Sequence, residues 1–237
     1  MDIVYPLGTG SVWENNELRF SLRSVEENLI GLGRVWVVGE KPSWLTGVEH
    51  IPMKDPTGVP WRNSLAKIRE ACKRAELSPE FLYMNDDFFL TQPVDIMKFP
   101  FIYKGNLPSG RRASRLLSLN RKESTTGLLV NMRLTTSDYD CHAPFRLEKG
   151  KVLALPVDDK TPGAFHWRSL YGNLYNVGGE KRDEVLLFPR RTLPDIKNYL
   201  SDKSYFAIAS HAGKDWKVRQ YITQRWPNKS KYELSTF

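Results

Sequence analysis

A short apolar run that stops at two adjacent aspartates constrains this chain more than any other feature. Residues 81–84 read Phe-Leu-Tyr-Met, Asn85, Asp86 and Asp87 follow, and residues 88–90 are apolar again. Four apolar or aromatic residues in a row predict a short buried strand. Two neighbouring carboxylates repel each other and are costly to desolvate, so they are not expected there without a partner. We predict that Asp86 and Asp87 bind a divalent cation, Mg²⁺ or Mn²⁺, that also holds a phosphate, although an isolated Asn-Asp-Asp would favour a plain turn.

The chain length and apolar content indicate one large globular domain over residues 1–237. The chain has 237 residues, of which 41% are hydrophobic, and only two cysteines, too few for a disulfide framework. No apolar run is long enough for a membrane span, and the N-terminus lacks the basic start and apolar core of a signal peptide. We therefore expect a cytoplasmic protein.

The charge is divided unevenly along the chain. Residues 1–100 hold 11 Lys or Arg against 14 Asp or Glu, whereas residues 101–237 hold 24 against 13. A basic second half is expected to attract polyanions or phosphates. We therefore predict a donor-binding half at 1–100 and a basic, acceptor-binding half at 101–237.

The first forty residues predict a strand, a helix and a second strand. Residues 2–7 are strand-like, Gly8-Thr9-Gly10 forms a turn, and residues 34–38 are β-branched and apolar. Ser11 and Glu14 fit a capping box that would start the helix. One apolar face of that helix carries Leu18, Leu22, Val25 and Leu29. Strand, helix and strand in this order predict a parallel pair.

The same alternation continues to the aspartates. Residues 50–53 suit a short strand, and a second amphipathic helix carries Leu65, Ile68, Cys72 and Ala75. The strand at 81–84 would then be parallel to the first, which places Asp86 and Asp87 at its carboxyl end. Open α/β sheets bind ligands at that edge.

The second half gives weaker patterns. Residues 105–127 are rich in Gly, Ser and Arg and suggest a surface loop, whereas 168–176 suggest a short helix and 206–209 a late strand. His142 and His166 each stand among apolar groups. A lone histidine in that setting is more often a packed core residue than a catalytic one, and His166 is the weaker candidate.

Several stretches together resemble one family. They are Asp2-Ile3-Val4-Tyr5, residues 16–26, Pro42-Ser43-Trp44-Leu45, and residues 81–90 with Pro93. This combination resembles the Stealth proteins, which include capsular polysaccharide phosphotransferases and the GlcNAc-1-phosphotransferase that tags lysosomal enzymes. His142-Ala143-Pro144 is similar to the family's third region, usually His-Met-Pro, and Arg168-Ser169 faintly echoes the fourth.

The resemblance implies a Rossmann-like, GT-A-type α/β domain with a mostly parallel sheet, which uses a nucleotide-diphosphate sugar and a divalent metal. It implies that Asp86 and Asp87 hold the metal or act at the reacting centre, and that His142 is the active-site histidine. Either aspartate would be the base if only the other held metal, and His142 is the rival base. Four further residues are candidates for contacts with the donor: Asp2, Arg19, Arg23 and Arg168. Arg19 and Arg23 are four residues apart and can share one face of a helix.

Two acceptors are compatible with such a transferase. The basic half favours DNA that bears a hydroxymethylated base, as in phage DNA glycosylation, with contacts from 105–127 and the aromatic-basic tail at 214–231. The predicted acceptor contacts are Arg111, Arg112, Arg115 and Trp226. The alternative is a glycan, such as a capsular polysaccharide, that receives sugar-1-phosphate, as the resemblance implies. A second alternative is a nucleic-acid-binding module without catalysis, which the retained Asp86-Asp87 pair argues against.

Overall fold

A mostly parallel five-stranded sheet organises the fold. The computed structural model describes residues 1–108, 117–209 and 211–234. The central sheet has the order β4-β3-β1-β5-β9, in which only β9 is antiparallel to its neighbour. Its strands are β1 (Asp2–Leu7), β3 (Val35–Gly39), β4 (Glu49–Pro52), β5 (Glu80–Tyr83) and β9 (Phe145–Glu148).

A second, smaller sheet adjoins the first at the end of β5. It has the order β11-β12-β6, with β11 and β12 parallel and β6 antiparallel to β12. Two further strand pairs, β2 with β7 and β8 with β10, lie outside both sheets. The strands of these elements are β2 (Leu29–Ile30), β6 (Phe88–Leu90), β7 (Val94–Asp95), β8 (Ile102–Tyr103), β10 (Glu180–Lys181), β11 (Leu186–Leu187) and β12 (Tyr205–Ile208).

Helices cover the sheets. Within the described residues they are α1 (Asn16–Asn28), α2 (Pro60–Cys72), α3 (Leu117–Asn131), α4 (Lys149–Leu153), α5 (Trp167–Leu174), α6 (Leu193–Leu200) and α7 (Trp216–Arg225). In the described ranges no helix is both long and apolar enough to cross a bilayer.

The predicted βαβ unit is confirmed. β1 and β3 are parallel in the register Ile3 to Val35, and β1 and β5 are parallel in the register Ile3 to Leu82. The predicted apolar face of α1 is buried, since Leu18, Leu22 and Val25 have no solvent exposure. The carboxyl ends of β1 and β5 therefore meet at one edge of the sheet, directly before Asp86.

The predicted capping box at the start of α1 is wrong. The helix begins at Asn16, and its N-cap, Asn15, makes no side-chain capping bond. The hydroxyl of Ser11 instead accepts from the backbone N–H of Asn15 at 2.7 Å and donates to a carboxylate oxygen of Glu17 at 2.7 Å. The Ser11 hydroxyl therefore bonds Asn15 and Glu17, whereas the predicted capping box paired Ser11 with Glu14.

The predicted surface loop at 105–127 is only partly correct. Residues 117–127 belong to α3, and its Thr125 is fully buried and donates its hydroxyl to the carbonyl of Arg121 at 2.8 Å. This helix could not be predicted from the local sequence, because its apolar residues do not form a clear stripe. Its stability therefore comes from tertiary packing. The short helix predicted at 168–176 is confirmed as α5, which begins one residue and ends two residues earlier, and the late strand predicted at 206–209 is confirmed as β12, one residue nearer the N-terminus.

Candidate active site

Asp86 and Asp87 lie in the turn that joins the two sheets. β5 ends at Tyr83, and β6 begins at Phe88. The backbone carbonyl of Asp87 accepts a hydrogen bond from the N–H of Ile208 at the end of β12, at 3.2 Å. Both aspartates line a cleft of about 1300 Å³. The prediction that they stand at the carboxyl edge of the parallel sheet, in a cleft, is therefore confirmed.

Burial and neighbouring negative charges destabilise the ionised forms of the two carboxylates. Burial raises the pKa of Asp86, and the charge of the nearby Glu17 raises it further. Burial and the charge of Asp86 likewise raise the pKa of Asp87. One oxygen of Asp87, Oδ1, is buried without a hydrogen-bond partner. A buried, unsatisfied carboxylate oxygen beside a like charge is strongly stabilised by a cation.

The carboxylate pair fits a divalent cation that shares its ligands with a substrate. Among the described residues, no group of three or more His, Cys, Asp and Glu side chains is arranged to hold a metal by itself. Mg²⁺ is commonly held by one or two carboxylates together with substrate phosphates and water. Asp86 and Asp87 could supply the protein part of that arrangement.

His142 lines the same cleft and forms a dyad with Glu184, which is not among the lining residues. The ring Nδ1 of His142 lies 2.7 Å from Glu184 Oε2, which also accepts the backbone N–H of His142 at 2.8 Å. The ammonium of Lys104 lies 3.1 Å from the other carboxylate oxygen. Burial alone would raise the pKa of Glu184, but the bonds from His142 and the charge of Lys104 lower it to about 2. An ionised Glu184 fixes the proton of His142 on Nδ1, which leaves Nε2 as the basic nitrogen.

Asp140 holds a second histidine and the predicted donor arginine. Its Oδ1 lies 3.2 Å from His166 Nδ1 and 3.2 Å from an Arg168 guanidinium nitrogen. Burial alone would raise the pKa of Asp140, but the His166 bond and the Arg168 charge hold it well below its usual range. Arg168 also packs over the Tyr83 ring, 5.6 Å from its centroid. His166, Arg168 and Asp140 all line the cleft, so the predicted Arg168 shares one cleft with the aspartates.

The opposite wall comes from the first half of the chain. The Gly8-Thr9-Gly10 turn lines the cleft, as do Glu17 and Lys67. Lys67 is 2% exposed, and its ammonium donates to the Leu7 carbonyl and to Asp55, each at 2.5 Å. The charge of Lys67 is therefore already paired with Asp55 at this wall of the cleft.

Asp2 is not brought to the cleft. It begins β1, so it lies at the amino edge of the sheet, and it is 4% exposed. Its carboxylate accepts the backbone N–H groups of Arg34 and Ser78 and the indole N–H of Trp36, at 2.9–3.1 Å. The structure therefore corrects the prediction that Asp2 contacts the donor. The Asp2 carboxylate instead bonds residues at or near the starts of β3 and β5.

Arg19 and Arg23 do share a face of α1, but that face meets the C-terminal segment. Arg23 makes two bonds of 2.7 Å to the carboxylate of Glu233 and donates to the Trp226 carbonyl at 2.9 Å. Arg19 lies 3.5 Å from the same carboxylate and packs over the ring of Trp44. Neither arginine lines the cleft, so the structure gives their predicted donor contact no support.

Trp226 is a core residue, and its predicted acceptor contact is wrong. It is 1% exposed, and its ring stacks on Phe89 and Phe206 with centroids 5.7 and 6.3 Å apart. The other predicted acceptor contacts, Arg111, Arg112 and Arg115, lie outside the described residues.

Sequence reasoning did not select Asp140, Glu184, Glu17 and Lys67. Asp140 stands two residues before His142, so its nearness was a usable signal. Glu17 lies within the family-like stretch at 16–26. Glu184 is 42 residues from His142 and carries no local signal, because only the tertiary fold brings them together.

Three curated relatives share part of this sequence. An exopolysaccharide phosphotransferase from Streptomyces coelicolor is 30% identical over 175 residues, 65% of this chain and 29% of that protein. An exopolysaccharide phosphotransferase from Nocardia farcinica is 32% identical over 90 residues, 33% of this chain and 17% of that protein. The capsular polysaccharide phosphotransferase LcbA of Aeromonas hydrophila is 31% identical over 88 residues, 34% of this chain and 24% of that protein. The resemblance to the Stealth phosphotransferases is confirmed. This Stealth-like chain spans less than a third of the length of the relatives it matches, and no family model matches it.

The fold is similar to that of a solved galactosyltransferase. The galactosyltransferase LgtC, solved in complex with donor and acceptor sugar analogues, superposes with a TM-score of 0.50 at 10% identity, over 98% of this chain and 97% of LgtC. An active-site mutant of LgtC gives the same TM-score at the same identity. The predicted GT-A-type α/β fold of the Stealth-like chain is therefore confirmed.

Proposed function

We propose that this chain is a metal-dependent transferase that moves a sugar-1-phosphate from a nucleotide-diphosphate sugar to a hydroxyl group of a polysaccharide. The observation that carries the proposal is one cleft lined by the Asp86-Asp87 pair, with its unpartnered oxygen, and by His142, whose Nδ1 bonds Glu184. The similarity to polysaccharide phosphotransferases supports a glycan acceptor.

The reaction exchanges one phosphorus–oxygen bond for another. The acceptor hydroxyl oxygen attacks the sugar-bearing phosphorus of the donor, and the bond from that phosphorus to the bridging oxygen breaks. A nucleoside monophosphate leaves, and the acceptor proton passes to His142 Nε2. Glu184 stabilises the imidazolium that results, as a carboxylate partner does for a catalytic histidine.

Charge neutralisation supports the departure of the nucleotide. Asp86 and Asp87 would hold Mg²⁺ or Mn²⁺, which supplies positive charge to the donor diphosphate. Arg168, kept in place by Asp140, would supply a second positive charge in the same cleft. With both aspartates assigned to the cation, His142 is the proposed base.

The released nucleotide distinguishes this reaction from glycosyl transfer. Mass spectrometry of products over a panel of nucleotide sugars, with Mg²⁺ or Mn²⁺ and a polysaccharide acceptor, should detect a nucleoside monophosphate. A nucleoside diphosphate would instead mean that the acceptor attacks the anomeric carbon, and the enzyme would be a glycosyltransferase. No turnover of any donor with either metal would contradict both.

The DNA-acceptor hypothesis has lost part of its basis. Trp226, one of its four named contacts, lies in the core, and the named relatives act on polysaccharides. Binding to duplex DNA across a salt series tests what remains, because binding through phosphate contacts weakens steeply with salt.

The division into a donor half at 1–100 and an acceptor half at 101–237 stays a prediction, and both halves contribute to the cleft walls.

A further inference from the structure

Two large aromatic side chains are exposed beside the cleft. Trp216 is 64% exposed and Phe188 is 52% exposed. Tryptophan at a solvent surface is costly to leave unpartnered and is typical of recognition sites, where its ring packs on an apolar or cationic partner.

Hydrogen bonds through one aspartate tie the two segments together. Asp215 Oδ2 accepts the backbone N–H of Arg190 at 2.7 Å, and its Oδ1 accepts the backbone N–H of Lys217 at 2.9 Å. Arg190 follows Phe188 by two residues, and Trp216 lies between Asp215 and Lys217. The loop after β11 and the start of α7 therefore form one surface.

This surface is continuous with the active-site cleft. Ile208, Ala209 and Lys214 line the cleft. The N–H of Ala209 donates to the carbonyl of Leu187, directly before Phe188, at 3.0 Å. Lys214 precedes Trp216 by two residues. We call Phe188, Arg190, Lys214, Trp216 and Lys217 the aromatic–basic strip.

The strip carries net positive charge. Three of its five residues are cationic, and the Lys217 ammonium lies over the Trp216 ring, 5.7 Å from the centroid. The carboxylate of Asp215, which lies between Lys214 and Trp216 in the chain, is already bonded to two backbone N–H groups. A ring with a cation on one face keeps its other face for a sugar, and exposed lysine and arginine complement phosphate groups.

We propose that the aromatic–basic strip binds the polysaccharide acceptor beyond its reacting end, and that the bound chain carries phosphodiester groups. This inference rests on the proposed function. Each transfer of a sugar-1-phosphate joins two sugars through a phosphodiester, which adds one negative charge to the product. A chain that leaves the cleft along Lys214 would place its phosphodiesters on the cations and its sugar rings on Trp216 and Phe188.

An anionic lipid surface would attract the same residue types. The continuity with the cleft favours the polysaccharide, since a membrane contact would not need to start at the site of chemistry.

The first test is binding, which does not require catalysis. Affinity electrophoresis through gels with yeast phosphomannan or unphosphorylated mannan compares the wild type with a Phe188→Ala/Trp216→Ala variant and a Lys214→Ala/Lys217→Ala variant. An Ile30→Ala/Lys98→Ala variant is the matched control, because Ile30 is 59% exposed and the Lys98 side chain 83% exposed on another surface. We expect phosphomannan to retard the wild type and the control, and both strip variants to bind it about tenfold more weakly.

The second test is activity against acceptor length. With a donor that the enzyme turns over, Phe188→Ala/Trp216→Ala should lower kcat/KM about tenfold for a long acceptor and leave it within about twofold for a disaccharide. Equal binding by the wild type and both strip variants would overturn the proposal. So would retention by neutral mannan as strong as by phosphomannan, or loss of binding to phosphatidylglycerol vesicles without loss of phosphomannan binding. If the wild type transfers to neither acceptor, the proposed function fails. The electrophoresis then still shows whether the aromatic–basic strip binds phosphomannan.

Discussion

The imidazole Nδ1 of His142 lies 2.7 Å from Glu184 Oε2, although 42 residues separate them in the chain. This pair turns a histidine that could have been a core residue into a candidate base. We expect His142→Ala to lower kcat by about 10²- to 10⁴-fold, the usual contribution of a general base. Quantification of the released nucleotide at saturating donor measures this. Near-wild-type turnover would return the role of base to the aspartates.

Glu184→Gln should have a smaller effect than His142→Ala. A glutamine keeps a hydrogen bond to the ring but removes the charge, and a charged hydrogen bond is stronger by about 1.4 kcal/mol, which is about tenfold in rate. We expect kcat to fall about tenfold with little change in the KM of the donor. A change confined to KM would place Glu184 in substrate binding instead.

Stability should depend on pH through Glu184. Its folded-state pKa is lowered from 4.5 to about 2, so its contribution is fully present above pH 4.5 and is lost as the pH falls toward 2. Urea unfolding of the wild type and Glu184→Gln should therefore differ by about 1–3 kcal/mol at pH 6, and the difference should shrink at pH 3. A difference that stays constant between these pH values would mean that the charge of Glu184 does not stabilise the fold.

Replacement of Asp87 should separate catalysis from folding. Removal of one of two repelling, buried carboxylates relieves repulsion, so metal-free Asp87→Asn should be as stable as the wild type or more stable, by about 1 kcal/mol. Transfer should be abolished, and the rise in Tm that Mn²⁺ gives the wild type should disappear; Asp86→Asn should behave similarly. A Mn²⁺-dependent rise in Tm that persists in both variants would place the metal elsewhere.

Arg23→Ala should damage the fold rather than donor binding. The guanidinium is bidentate to Glu233, whose side chain is 5% exposed, and its removal leaves a buried carboxylate without its main partner. We expect a loss of about 2–4 kcal/mol in the free energy of unfolding, with the KM of the donor unchanged. Arg168→Ala is the comparison, because it should raise that KM. If Arg23→Ala raised the KM without loss of stability, the donor assignment made from the sequence would stand.

The α/β class, the parallel order of β1, β3 and β5, and the place of Asp86 and Asp87 could all be predicted from the sequence. These follow from local rules. Apolar periodicity sets strand or helix, strand-helix-strand order sets a parallel pair, and a polar residue after a strand falls at the ligand-binding edge. The family-like stretches added His142 and Arg168, and the cleft contains both.

Which side chains meet depends on the three-dimensional packing of the whole chain. Asp2 and Arg23 looked like ligand contacts, yet Asp2 joins strand ends at the far edge of the sheet and Arg23 holds the C-terminal segment. Glu184 carried no local signal and Asp140 only its nearness to His142, yet they bond His142 and His166, two of the histidines that line the cleft. The physical reason is that the local sequence around a charged side chain does not show whether it contacts a substrate or an internal partner. That partner can come from a distant segment, and packing of the whole chain determines which segments are neighbours.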